Sequence, residues 1–412
     1  MNIVDVHGYA LSSPIDPVQS RRFHAGTRRL LKRDVVLVVV ETVNGARGFA
    51  PAGASSSAMR EYFDGESQGN FADVINGPVA DELEGKTIDD IERVHSLIKT
   101  MDFPVRLRNQ IRSVIDVSLY DLLGKQVGAP IYELLCERHD TAATTELPLY
   151  ASAGMYMDPE GYVRQAEILD DLGFFGYKYR PGIGPKGDRR IVERLVEAVE
   201  MEIMVDAHTW WKMDGQSYGT ETVTSLVEHA ATHDVYWVEE PVDPDDYDGY
   251  RALCDNRVSL AGGESEESAP GLLELGRTGA VDFLQGDVRH HGGFSGCWDA
   301  AEFCIDRDVT FVPHNFGTWL GLIANAHLTA AVSQAELLEY PVFENDPALE
   351  SSADPGMYPF DLAFDLVDGT PNIDSGVLTV PDGPGLGIDV DMDVIEDYPF
   401  VEGAWTEFSY DE

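Results

Sequence analysis

Basic residues are scarce in this sequence: 29 Lys and Arg stand against 73 Asp and Glu over 412 residues, a formal charge of -44. Nucleic acid is excluded as a partner by that balance, because a phosphate backbone is held by clustered cations. Cysteine is scarcer still. The four present, Cys136, Cys254, Cys297 and Cys304, form no CxxC pair, which argues against a disulfide framework and against a thiolate zinc site. Long apolar runs are missing too, and none approaches the roughly 20 residues that a membrane-spanning helix needs. The opening Met1-Asn2-Ile3-Val4-Asp5-Val6-His7 has neither the basic nor the apolar region of an export signal. A cytoplasmic protein with no membrane partner is expected.

Acid is what the sequence has in excess. It recurs along the whole length, as in Asp245-Asp246-Tyr247-Asp248 and Glu264-Ser265-Glu266-Glu267, which describes an acidic surface rather than an acidic tail. Such a surface repels itself in dilute buffer, but at molar salt the Debye length shrinks to about 3 Å and the penalty fades. A halophilic cytosol is therefore the expected setting. The apolar fraction of 43% is ordinary for a globular protein, and the length suits one large α/β barrel with a smaller domain.

Residues 1–138 open with strand text such as 34–41 and continue with helical text over about 56–126, which predicts an α+β capping domain. Residues 139–350 repeat a short apolar segment, a turn and a helical stretch. The segments are 148–153, 176–180, 203–208, 236–239, 258–264, 281–287, 309–314 and 336–339. Eight of them predict a (β/α)8 TIM-like barrel. Residues 351–412 are rich in Gly, Pro and Asp, with a strand-like piece at 376–381, and are expected to return to the capping domain and complete it. The boundaries are placed within 138–146 and 347–356.

From the second segment to the eighth, each ends in an ionisable residue, although strand interiors should be apolar. Those ends form the mouth of a barrel, where the chemistry of such folds sits. Side chains alternate along a strand, so Lys178 and Arg180 share one orientation, as do Asp206 and His208. Asp206, Glu239 and Glu264 would converge there, and three carboxylates repel one another unless a hard dication lies between them. Mg²⁺ fits that demand. Of the adjacent Glu239 and Glu240, the first is assigned to the lumen and the second to a solvated turn. Asp287 behind His314 would fix the imidazole tautomer and raise its basicity, which makes His314 a general base. Lys178 and Arg180 can clamp a carboxylate or stabilise an enolate dianion, and Arg180 makes a poor base. His208 suits protonation of a leaving hydroxide.

In this order the residues resemble the mandelate racemase group of the enolase superfamily, and the resemblance spans nearly the whole chain. Lys178-Tyr179-Arg180 stands where that group has Lys-x-Lys. Asp206, Glu239 and Glu264 fall on its metal ligands, and Asp287 with Gly292-Gly293 and His314 in Val312-Pro313-His314-Asn315 match its Asp and His dyad. Outside the barrel, the text from Arg112 to Lys125 and from Pro130 to Leu135 is similar to its linker helix, and Pro384-Gly385-Leu386-Gly387 to its C-terminal signature.

The resemblance implies an Mg²⁺ enzyme that removes the α-proton of a carboxylate substrate with a Lys or His base. It further implies that Glu339 polarises the substrate carboxylate and that the protein is a homo-oligomer. Asp206-x-His208 is similar to the pairing in galactonate, gluconate and mannonate dehydratases, so the expected reaction is dehydration of a sugar acid. Racemisation or epimerisation of a 2-hydroxy acid is the alternative, and Arg180 in place of a second Lys counts against it. Two capping loops, about 14–26 with Arg21, Arg22 and His24, and about 49–57 with Pro51, are expected to close over the mouth. Arg21, His24, Pro51 and Trp319 make up the expected substrate-binding set.

Overall fold

The structure, a computed structural model, describes residues 1–23, 26–52, 71–155, 157–211, 218–305, 307–333, 335–349 and 357–410, with Asn256 by its backbone alone. Residues 35–40 are apolar without a break and all buried, the pattern of a strand covered on both faces. They lie in β2 (Gly26–Thr42), which pairs antiparallel with β1 (Ile3–Phe23) on one side and with β3 (Arg47–Ala52) on the other. The helix Val105–Val127 packs on β3. Gly48 permits the approach, because a Cβ there would lie 2.1 Å from the carbonyl oxygen of Ser118. Asp90 caps the helix Ile91–Thr100 by accepting from the Arg93 amide, and Gly128 in a left-handed conformation ends Val105–Val127.

Eight parallel strands follow: β4 (Glu146–Met155), β5 (Gly176–Arg180), β6 (Glu202–Asp206), β7 (Trp237–Glu239), β8 (Ser259–Gly262), β9 (Phe283–Leu284), β10 (Thr310–Phe311) and β11 (Leu338–Pro341). Each pairs with its sequence neighbour from β4 to β10, and β11 returns to pair with β4. Asn315 bridges β10 to β11, its amide donating to Glu339 Oε2 at 2.9 Å and its Nδ2 to the Glu339 carbonyl at 3.3 Å. This is the (β/α)8 barrel with an N-terminal capping domain that the sequence predicts. Tyr150, Met204, Trp237, Ala261, Val312 and Leu337 form one buried cluster, so the lumen is packed rather than open. Met204 and Trp237 point into it. Asp206 and Glu239, two residues further along the same strands, face the same way at the mouth.

Three strands are shorter than the sequence suggests. β8, β9 and β10 stop at Gly262, Leu284 and Phe311, so Glu264, Asp287 and His314 stand on the loops beyond them. Gly263, at φ +124°, turns the chain off β8. His208 likewise opens the short helix His208–Trp211 and is not on β6. The C-terminal segment also divides. The hairpin β12 (Ile373–Asp374) and β13 (Val377–Thr379) extends β4 through Glu146, Leu147 and Pro148, because Leu378 finds its burial there. β14 (Thr406–Tyr410) joins the capping sheet along β2, and Pro399 bridges to Leu11 of β1. Part of the expected 347–356 boundary lies outside the described residues. No helix among the described residues is long and apolar enough to cross a membrane.

Candidate active site

Lys178 is wholly buried at the mouth, 2.6 Å from Glu239 Oε1 and 2.6 Å from Glu339 Oε1. Burial alone would favour the neutral amine, but the two carboxylates outweigh it and hold the ammonium above its ordinary range. The second oxygen of Glu239 accepts from Gln285 Nε2 at 2.7 Å and Trp237 Nε1 at 3.2 Å. That of Glu339 accepts from the Tyr150 hydroxyl at 3.2 Å. Arg180, two residues on, places Nη2 3.0 Å from Asp206 Oδ2, and its guanidinium carbon lies 5.4 Å from the centre of the Phe316 ring.

Glu264 stands between two imidazoles. His208 Nε2 is 3.1 Å from its Oε1 and His314 Nε2 is 3.1 Å from its Oε2. The far nitrogens have different partners. His314 Nδ1 meets Asp287 Oδ2 at 3.0 Å, whereas His208 Nδ1 pairs with Asp206 Oδ1. Asp287 is itself held by Arg289, whose amide donates at 2.8 Å and whose Nε lies 3.1 Å from both carboxylate oxygens. Burial favours the neutral Asp287, yet Arg289 and His314 keep it well below the usual carboxylate range. Burial pulls His314 down, while Glu264 and Asp287 push it up to about 9. His208 is also raised, because Asp206 and Glu264 outweigh its burial. A cation on Glu264 would remove the charge that keeps His314 protonated and free its Nε2.

The donor set fits a hard dication. His208, Glu240 and Glu264 each offer a ligand atom within 4.8 Å of the others. Asp206 Oδ2 and Glu264 Oε2 are buried oxygens that face the cationic Arg180 and His314 without an aligned hydrogen bond, and carboxylate oxygens so placed suit a cation. Of the expected triad, the group of His208, Glu240 and Glu264 contains Glu264 alone: Asp206 faces Arg180 and His208, and Glu239 turns to Lys178 and Gln285. Nor is Glu240 a solvated turn residue: it is buried at φ +41°, 3.2 Å from His208 Nε2, and it accepts from the Ser265 amide at 3.1 Å and hydroxyl at 2.8 Å. A positive φ at a buried Glu is a strained position that the surrounding bonds must impose.

The expected binding set is only partly assembled. Residues 14–23 form an arm of β1 and not a loop. On that arm Arg21 donates to the Met357 carbonyl at 3.3 Å and lies 3.8 Å from Glu344. Met357 in turn places its sulfur 3.8 Å from Arg180 Nη1. Pro51 lines a cavity of about 50 Å³ with Arg33, Arg289 and Phe316. His24 lies outside the described residues. Trp319 does not belong to the set, because its indole is buried, donates to the Tyr340 hydroxyl at 3.2 Å and packs on Phe364. Glu240, Arg289, Tyr150, Gln285 and Arg33 are additions that the sequence reading missed. Only the first two had a signal, as neighbours of Glu239 and Asp287.

Residues 14–136 match the family described as mandelate racemase / muconate lactonizing enzyme, N-terminal domain, and residues 161–394 match enolase C-terminal domain-like. The chain belongs to the mandelate racemase and muconate lactonizing enzyme family of the enolase superfamily. It is 31% identical, over 69% of its length and 73% of the relative's, to a D-galactarolactone cycloisomerase of Agrobacterium fabrum. The solved 3,6-anhydro-D-galactonate cycloisomerase of Zobellia galactanivorans is 25% identical, with a TM-score of 0.76 over 97% of this chain and 99% of that one. A member of the enolase superfamily from Polaromonas sp. JS666, 24% identical, shares the fold at a TM-score of 0.80 over 98% and 99% of the two chains.

Proposed function

We propose that the protein is an Mg²⁺-dependent sugar-acid dehydratase of a halophile's cytoplasm, giving a 2-keto-3-deoxy acid, with aldonates such as gluconate, xylonate and galactonate as first substrates to try. The observation that carries this reading is the pair of imidazoles on the two oxygens of Glu264, each with a different carboxylate behind it. Elimination of water needs both a base for the α-proton and an acid for the departing hydroxide, and one mouth here supplies both.

The substrate carboxylate is received beside Lys178 and Glu339. His314, oriented by Asp287, removes the α-proton through Nε2. Lys178 and Arg180 stabilise the dianion that results. His208 delivers its proton to the 3-hydroxyl as the C3–O bond breaks, so water leaves with the His208 proton, the α-proton stays on His314, and the enol ketonises by taking up a proton at C3. Asp206, Glu264 and one or both of Glu239 and Glu240 would hold Mg²⁺, which supplies positive charge against the enediolate.

The names of the relatives favour a second reading, a cycloisomerase, in which His208 protonates a ring oxygen that stays in the product. Racemisation is disfavoured, because Arg180 is held cationic by Asp206 where a second base would be needed. A panel of aldonates, aldarates, lactones and anhydro acids in molar KCl with Mg²⁺ tests the proposal. At least one aldonate or aldarate is expected to lose water and give a 2-keto-3-deoxy acid, with activity lost to a chelator. Turnover of lactones or anhydro acids alone would assign the cycloisomerase.

A further inference from the structure

Arg33 has no acid partner. Among the described residues it makes no hydrogen bond or ion pair, and its Nε is buried without an acceptor. The adjacent Asp34 is taken by Lys32 at 3.0 Å and by the Ser12 hydroxyl at 2.6 Å. In place of a carboxylate, rings surround the guanidinium carbon, with centres 4.7 Å away for Trp405, 5.2 Å for Phe316, 5.6 Å for Tyr358 and 5.9 Å for Phe360. Ring faces attract the charge but leave the buried Nε without an acceptor. Among the described residues no carboxylate lies within ion-pair distance of Arg33, and Asp34, which lines the same cavity, is already engaged, so the guanidinium is open to an acceptor from outside.

Its position indicates which acceptor. Arg33 lines the cavity of about 50 Å³ between β2, the end of β3 and the loop after β10, room for a few waters and hence for a carboxylate. Phe316, the ring it shares with Arg180, follows His314 by two residues. The cavity thus lies one ring beyond the proton-transfer site, on the side of the capping domain. To meet Arg33, the far end of a five- or six-carbon substrate whose first carboxylate rests beside Lys178 has to pass Phe316 on this side of the mouth.

We propose that Arg33 binds a second carboxylate of the substrate, so that the preferred acid sugar is a dicarboxylate, an aldarate. This rests on the mouth being a sugar-acid site and narrows the sugar acid to one charged at both ends. The planar fork of Arg suits bidentate recognition of that group.

Calorimetric titration in molar KCl with Mg²⁺ tests the assignment, using hexarates and the hexonates of matching configuration. For at least one pair the dianion should bind about 30-fold more tightly, the scale of a hydrogen-bonded charge pair. Arg33→Met keeps an apolar stem among the rings and should bring that ratio to within about threefold of unity. Arg33→Lys should restore part of it, and thermal midpoints check that both variants are folded. The assignment is overturned if no pair favours the dianion, or if Arg33→Met weakens both anions alike. Arg33-dependent binding of a hexarate without a 2-keto-3-deoxy product would sink the dehydratase and leave this inference standing. Dehydration of a hexonate with no Arg33-dependent preference would do the reverse.

Discussion

Glu264 touches both histidines, and their far nitrogens meet different carboxylates, Asp287 behind His314 and Asp206 behind His208. If His314 is the base, His314→Asn abolishes turnover and also abolishes exchange of the substrate α-hydrogen with deuterated water, because no enolate forms. His208→Asn should slow elimination by about 10²-fold or more while exchange remains measurable, the usual scale for a lost general acid. Exchange that survives in His314→Asn but disappears in Lys178→Met would make Lys178 the base. Asp287 is clamped by Arg289 through both oxygens, so Arg289→Met should lower kcat by roughly 10-fold or more through a misoriented imidazole. An unchanged kcat would show that Asn325, which donates to Asp287 at 3.3 Å, suffices alone. At this scale the sequence was informative where acids and bases ended apolar segments, since a barrel collects those ends at one mouth. It was silent on Arg33 and Gln285, whose significance comes from what lies around them in space.

Elements differ from the predicted ones mainly where strands give way to loops. Glu264, Asp287 and His314 lie beyond their ladders, which end at Gly262, Leu284 and Phe311, and Gly263 turns the chain off the first of them. Periodicity reads the apolar part of such a segment and cannot see where pairing stops. Contacts between elements leave little slack. A Cβ at Gly48 would overlap the Ser118 carbonyl, so Gly48→Ala should destabilise the protein by about 2 kcal/mol or more, read as a fall in the denaturation midpoint; an unchanged midpoint would mean that the helix can retreat. His327 on the helix Trp319–Ala331 ties three regions, accepting from the Tyr132 amide at Nδ1 and meeting the Leu386 carbonyl at 3.0 Å through Nε2. Burial holds it neutral and lowers its pKa to about 4. The unfolded chain takes up that proton near pH 6.5, so this contribution is complete above pH 6.5 and is lost as pH falls towards 4. It amounts to about 3 kcal/mol. Denaturant unfolding at pH 7.5 and pH 4.5 should show a smaller acid-induced loss in His327→Gln than in the parent. Equal losses would contradict the assignment.

The molecule as a whole combines a mouth crowded with buried acids and a formal net charge of -44. Composition identifies the surface but not the division of residues 351–412 between the barrel and the capping sheet, which depends on long-range pairing that short, polar strands do not announce. The halophilic reading predicts that the thermal midpoint rises steeply between 0.1 and 2 M KCl, as the Debye length falls from about 10 Å to below 3 Å. A midpoint indifferent to salt would count against it. The central claim, that this mouth removes water from a sugar acid, is tested most directly by running the reaction in deuterated water with Mg²⁺ and molar KCl and determining the product by mass spectrometry and NMR. Dehydration predicts a 2-keto acid lighter by one water, with solvent deuterium at C3. A product of unchanged composition, either inverted with deuterium at the α-carbon or a ring-opened 2-keto acid with deuterium at C3, would contradict it.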